Sequence, residues 1–220
     1  MSDLARATQK AREFRQREQS ILDCAQALFM EMGEDKVTVE MIADKVGIGK
    51  GTIYKHFETK NEIYLLLMIR YEEELAELFQ RIDTSEDKAA LVREYFSFRV
   101  KDADKYLLFD RLESKLVADK AVPELVAKLH AVRASNLDVL CSMVSSQIKA
   151  GKLADVPPTW HIAAAWALAH GASALSKSSF YTQFIGDKEP FLEFLLNVAV
   201  RMGNRGVLGA PADKRSTKGG

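Results

Sequence analysis

Cysteine and proline are scarce in this chain of 220 residues, with two of the first and five of the second. Cys24 and Cys141 stand far apart, each within an apolar pattern of helical spacing. They read as reduced core residues of a cytosolic protein, not as a disulfide framework. With so few prolines and only 12 glycines, the composition is that of a soluble globular protein in which long helices can run. Neither sign of charge prevails, since 31 Lys and Arg offset 31 Asp and Glu. No global field therefore steers the protein toward nucleic acid or an anionic membrane. Long hydrophobic runs are missing too. The most apolar segment, 162–175, is 14 residues long and includes His170, short of the ~20 that a bilayer span needs. The opening MSDLARATQKAREFRQREQ lacks the apolar run of a secretory signal. The expectation is a cytoplasmic protein with no membrane partner.

What the chain holds instead is helix-forming sequence, 47% hydrophobic and 28% charged, rich in Ala, Leu, Glu and Lys with few β-branched runs. An all-α fold of about nine helices follows. Residues 1–17 set Arg6, Lys10, Arg12, Arg15 and Arg17 against Asp3, Glu13 and Glu18, and read as a flexible, frayed helical arm. Ile21, Cys24, Ala25, Leu28, Phe29 and Met32 recur at three- and four-residue spacing and form one buried stripe, stopped by Gly33. Thr38 is the expected N-cap of a helix whose apolar face is Val39, Ile42, Ala43 and Val46. Gly47 ends that helix, and a second short one covers about 50–56. Thr59 and Glu62 fit a capping box that opens a long helix to about residue 82. Further helices are expected near 86–101, 103–118, 123–150, 159–184 and 188–203. The segment Glu72-Glu73-Glu74 reads as a solvated face. The domain boundaries that follow are an arm at 1–17, a small helical domain at 18–58, a helical body at 59–203, and a tail at 204–220 of disordered composition.

The stretch 47–57, GIGKGTIYKHF, carries the one informative motif. A phosphate-cradling P-loop would need four residues between its glycines, then Gly-Lys-Ser/Thr after a buried strand. Here the order is wrong and the preceding segment is an amphipathic helix. The dinucleotide pattern fails for want of its third glycine. A helix-turn-helix needs a small residue where two helices touch, a glycine turn, and apolar anchors in the second helix. Ala43, Gly47, Ile48, Ile53 and Phe57 meet these needs. At ~100° per residue, Ile53 and Phe57 fall about 40° apart and face inward. Gly51 and Lys55 then point outward, flanked by Thr52 and Tyr54, with His56 near the edge. Such a face suits phosphates and base edges. Residues 1–60 hold ten Lys/Arg and ten Asp/Glu, yet within 45–60 Lys45, Lys50, Lys55 and Lys60 meet only Glu58. A plain helical hairpin with a solvated lysine face remains the alternative on pattern alone.

Residues 21–67, ILDCAQALFMEMGEDKVTVEMIADKVGIGKGTIYKHFETKNEIYLLL, resemble the N-terminal domain of TetR-type transcriptional regulators. The matching signature runs through Gly33, Thr38, Ile42-Ala43, Val46-Gly47, then Gly51 to Phe57 and Lys60. The resemblance implies a three-helix DNA-binding domain followed by a helical domain for effector binding and dimerisation. It also implies a homodimer on a palindromic double-stranded DNA operator, most simply a repressor released by a small molecule. Carried over by position, the DNA contacts are Thr38, Lys50, Gly51, Thr52, Tyr54, Lys55, His56 and Lys60. Thr38, Tyr54, His56 and Lys60 are expected on phosphates. Lys50, Thr52 and Lys55 are expected at base edges, and Gly51 against the groove floor.

For the body, dimerisation is expected through the helices near 159–184 and 188–203. The first is crowded with small residues that let helices approach, and the second is apolar on nearly every side. Aromatic residues suggest a small apolar or aromatic effector, with Phe98, Phe109, Trp166 and His170 as the candidate contacts. His130, His161 and His170 lack close acidic or cysteine partners, so no metal site is expected, and no motif implies a cofactor. No nucleophile–base pair supports an enzyme. The competing reading is a helical adaptor that captures a protein partner without specific DNA binding.

Overall fold

The computed structural model describes residues 3–82, 89–116 and 122–208. Among these the chain is helical throughout, with no strand beyond one isolated bridge between Leu153 and Asn204. The helices are α1 (Asp3–Met32), α2 (Val39–Val46), α3 (Lys50–Ile53), α4 (Lys60–Arg81), α5 (Ala90–Lys101), α6 (Ala103–Leu116), α7 (Pro123–Lys149), α8 (Pro158–Leu175), α9 (Lys188–Met202) and the single turn α10 (Arg205–Leu208). A π-helical turn covers Tyr181–Ile185. No helix among the described residues is long and apolar enough to cross a membrane.

The chain divides into two compact units. The first draws on Met1–Glu74 and Leu107–Arg133. Its core holds Ile21, Ala25, Leu28 and Phe29 of the stripe predicted for α1, with Ile42 and Ala43 of α2, Ile53, Phe57, and Ile63 and Leu67 of α4, all buried, whereas Cys24 of that stripe is half-buried and Met32, at the helix end, is exposed. Leu108 and Leu112 of α6 complete it. One departure concerns α1, which is a single helix from Asp3 across the boundary placed at residue 17. Gln9 donates to Glu13 Oε1 one turn on at 2.8 Å, an i,i+4 bond that supports those turns. A second concerns 72–74, where Glu73 is exposed as expected but Glu72 is not. Glu72 is buried, accepting from Arg133 Nε at 3.1 Å, while Arg133 also grips Glu113 with both terminal nitrogens at 2.7 and 2.9 Å. Burial disfavours a charged Arg133, but the Glu113 and Glu72 carboxylates outweigh it and raise its pKa.

The second unit draws on Leu75–Tyr106 and Ala134–Gly220. Here α5 packs on α8 and α9 around Phe79, Phe96, Ala169, Ala172 and Ala199. Three of these are alanines, and their size lets the helices come close. The long helix expected over 159–184 stops at Leu175 because serines compete for its carbonyls. Ser176 Oγ donates to Ser173 O at 2.8 Å and Ser178 Oγ to Leu175 O at 3.0 Å, drawing off the last turn. The expected tail begins with structure, since Asn204 bridges Leu153 and α10 follows. Positions 209–220 lie outside the described residues, as do 86–88 and 117–118 of two expected helices.

Candidate nucleic-acid interface

The helix-turn-helix is built as its pattern demands. Thr38 caps α2, its Oγ1 accepting from Met41 N at 3.3 Å. Gly47 closes α2 in the left-handed region, φ 77°, where a side chain would be strained, and its N–H returns to Ala43 O at 2.9 Å. The helix after the turn is shorter than 50–56. Residues 54–56 continue it with tightened bonds, Lys55 N to Thr52 O and His56 N to Ile53 O. Ile53 and Phe57 are buried at 1% and 2% exposure, so the other side of this segment faces out. At the next helix, Thr59 Oγ1 accepts from Glu62 N at 3.3 Å, and Glu62 reaches back to Glu58 N at 3.0 Å, one residue before the N-cap.

The eight expected contact residues divide by environment. Thr38, Lys50, Gly51, Tyr54 and Lys55 are exposed, and Thr52 is half-buried beside them. Lys50 pairs with Glu40, ten residues back on the first turn of α2, and its ammonium lies 5.7 Å from the Tyr54 ring centroid. The hydrogen bond and charge of Glu40 raise the Lys50 pKa, and Lys50 lowers that of Glu40. Among the described residues Lys55 makes no ion pair. The structure takes His56 and Lys60 elsewhere. His56 stacks on Phe14 of α1, ring centroids 3.9 Å apart and planes at 26°. Burial pushes its pKa down, with Arg17 acting the same way and Glu18 against. Lys60 turns inward, donating to Glu34 O at 2.5 Å and lying 5.6 and 5.3 Å from the Phe29 and Tyr64 ring centroids. Burial lowers its pKa.

Glu34 was not among the residues singled out in the sequence, and it organises the turn beneath this surface. Its carbonyl also accepts from Tyr64 Oη at 3.0 Å. Its carboxylate, only 5% exposed, receives Lys115 Nζ at 3.0 Å and Arg111 Nη2 at 3.3 Å, both from α6. Burial alone would raise its pKa, but its own backbone N–H, Lys115 and Arg111 outweigh that and hold it at about 2. An acid directly after a helix-stopping glycine is the only local signal of such a clamp. Its partners, some 80 residues on, give none.

In the second unit, α5, α7, α8 and α9 line a half-open pocket of about 800 Å³. Leu91, Val92, Leu140, Val144, Ala165 and Val200 form apolar walls, while Tyr95, Gln147, Lys152 and His161 bring polar groups. Gln147 Oε1 is buried without a hydrogen-bond partner, and His161 Nε2 donates to Ala154 O at 3.0 Å. None of Phe98, Phe109, Trp166 and His170 lines this space. Phe98 packs against the second unit's core, and Phe109 belongs to the first unit, where it packs on Tyr71 at 4.9 Å. Trp166 and His170 do meet, through one hydroxyl. Trp166 Nε1 donates to Tyr106 Oη at 2.8 Å, and Tyr106 Oη shares a 3.0 Å bond with His170 Nδ1. Among the described residues no cluster of His, Cys, Asp and Glu could hold a metal.

Residues 21–67 match the family model described as bacterial regulatory proteins, tetR family. The HTH-type transcriptional activator FasR of Mycolicibacterium smegmatis is 26% identical over 164 residues, 66% of this chain and 73% of FasR. The fatty acid metabolism regulator protein of Bacillus subtilis is 25% identical over 141 residues, 60% of this chain and 69% of that protein. Among solved structures, a regulatory protein in the tetR family from Rhodococcus RHA1 overlays with a TM-score of 0.66 at 17% identity, over 86% of this chain and 97% of that one. AibR, solved with isovaleryl coenzyme A and operator DNA, overlays with a TM-score of 0.63 at 19% identity, over 86% and 98%. At such identity the structural likeness speaks for the fold.

Proposed function

The chain belongs to the TetR family of DNA-binding transcriptional regulators, and from that premise we propose that it acts as a cytoplasmic homodimeric repressor, released from a palindromic operator by a small apolar effector. The observation that carries the DNA half is the division of the 50–57 segment. Ile53 and Phe57 are buried, while Gly51, Tyr54 and Lys55 stand exposed and Thr52 half-exposed beside them. Lys55 and Thr52 read base edges, with Lys to guanine O6 and N7 the natural pairing. Lys50 joins them once Glu40 yields it. Tyr54 and Thr38 hold phosphates. His56 and Lys60 support the surface from beneath, which replaces direct phosphate contact as the role argued for them. No catalytic step is assigned.

The effector half rests on the apolar cavity of the second unit. The Bacillus relative is named for fatty acid metabolism, and AibR was solved with an acyl-coenzyme A. An acyl chain fits walls of Leu, Val and Ala, and Lys152 beside them suits an anionic head. Binding there shifts the position of α4, and with it the spacing of two recognition segments that must match half-sites about one turn apart.

One experiment tests both halves. Binding to the protein's own upstream DNA is measured over a salt series, with Lys55→Ala beside wild type, and repeated with saturating acyl-coenzyme A ligands of increasing chain length. Tight, salt-steep binding that Lys55→Ala weakens at least about tenfold supports the operator reading. Binding equally weak on every DNA and indifferent to Lys55→Ala sinks it. Operator affinity that no acyl ligand changes sinks the effector reading alone.

A further inference from the structure

The amino-terminal turns of α1 are the least explained part of the first unit. From residue 6 to 17 every side chain is exposed, Phe14 included at 44%. A helix polar on all sides needs a reason to be ordered, since it buries too little to offset its conformational entropy. Phe14 anchors it on His56, the last residue of the outward-facing segment after the turn. The arm is thus tied directly to the proposed DNA surface. At ~100° per residue, Lys10, Arg17 and Arg6 fall about 40°, 60° and 80° to one side of Phe14, a stripe bordered at about 100° by Glu13, whose carboxylate takes the Gln9 amide. Glu18 lies on the other side, and Arg12 points away. The stripe spans about 16 Å, close to five base-pair steps of duplex. Among the described residues Arg6, Lys10 and Arg17 make no ion pair.

We infer that Arg6, Lys10 and Arg17 form a second phosphate-binding surface, which takes the DNA backbone flanking the half-site read by the 50–56 segment. The inference rests on the operator reading. It differs from that reading in kind, because a phosphate stripe adds affinity and salt dependence without sequence preference. The arm also gains from DNA what the free protein does not give it, a partner for an otherwise solvated helix.

The test compares wild type with the triple variant Arg6→Gln, Lys10→Gln, Arg17→Gln. Gln keeps helix propensity, and circular dichroism checks that helical content is retained. Each protein is titrated over a salt series on two duplexes, one carrying about ten base pairs beyond each half-site and one ending at the half-site edges. On the long duplex the variant should bind about tenfold more weakly, with a salt slope shallower by roughly one unit for each phosphate it no longer neutralises. On the short duplex the two proteins should converge. A charge-keeping variant, Arg6→Lys with Arg17→Lys, should retain most of the wild-type slope. Equal affinity and slope for wild type and triple variant on the long duplex would overturn the proposal. Lys55→Ala separates the two readings, because the arm fails alone if Lys55→Ala still abolishes specific binding, and the operator reading fails with it if Lys55→Ala changes nothing.

Discussion

Gly51 shows most plainly at the residue scale how a side chain's absence can belong to a partner rather than to the fold. Its backbone is not left-handed, and a Cβ built on it meets nothing within 4 Å. Nothing inside the molecule demands glycine there, and replacing it in a helix with alanine gains about 0.5–1 kcal/mol. Gly51→Ala should therefore unfold at the same temperature as wild type or slightly higher. If the segment lies against a groove floor, the added methyl should still weaken operator binding about tenfold, near 1.4 kcal/mol. Unchanged affinity would show that the DNA keeps its distance at this position. Lys50 argues the opposite case. Its pair with Glu40 is exposed on both sides, worth little to the fold, so it holds the cation in place and can surrender it to DNA at small cost.

At the scale of the element, Glu34 and α6 make a pH-dependent clamp whose sign can be worked out. The Glu34 pKa is near 2 in the folded chain against an ordinary 4.5. Its contribution to stability is therefore fully present above pH 4.5 and drains away as the pH falls toward 2. Urea unfolding across that window should show wild type losing stability more steeply than Glu34→Gln. Near neutral pH the variant should be weaker by only ~1–2 kcal/mol, because Arg111 and Lys115 are both partly exposed and can rehydrate. Equal slopes would show that the clamp does not form in solution. The clamp also marks what could be read in advance. Helix ends written in local chemistry were legible, at Thr38, Gly47 and Thr59 with Glu62, and so was the middle of the buried stripe of α1, Ile21 to Phe29, though not Met32. Features that depend on distant partners were not. Nothing near Glu72 announces Arg133, nothing near Lys60 shows that it turns toward Glu34 O, and the end of α8 hinged on serines whose competition for carbonyls looks from sequence like harmless small residues. The cavity was equally hidden, because aromatic residues drew attention while its walls are mostly aliphatic.

For the molecule as a whole, the surfaces of α8 and α9 pose the remaining question. Trp160, Ala163, Ala167 and Ala174 fall on one side of α8 and are exposed, and on α9 Phe194 and Val198 are exposed in the same way. Trp160 and Phe194 are 64% and 60% exposed, a costly display for large apolar groups unless a second copy covers them. Small residues beside two large ones suit a four-helix interface, in which alanines admit the facing helix and the aromatic rings fill the gaps. Phe194→Glu would place a carboxylate in that interface twice, once from each copy, and two like charges desolvated together are strongly unfavourable. If the dimer forms as proposed, sedimentation velocity at micromolar concentration should find wild type dimeric and the variant monomeric. The effect should carry through to DNA, since a single recognition segment forfeits the avidity of two linked half-sites, a factor of about a hundred or more. On a palindromic operator the variant should bind weakly, each half-site filling independently as the protein concentration rises. On a duplex carrying one half-site it should match wild type. A variant that stays dimeric would move the interface off Phe194, and a wild-type monomer bound singly to its operator would end the dimer reading altogether.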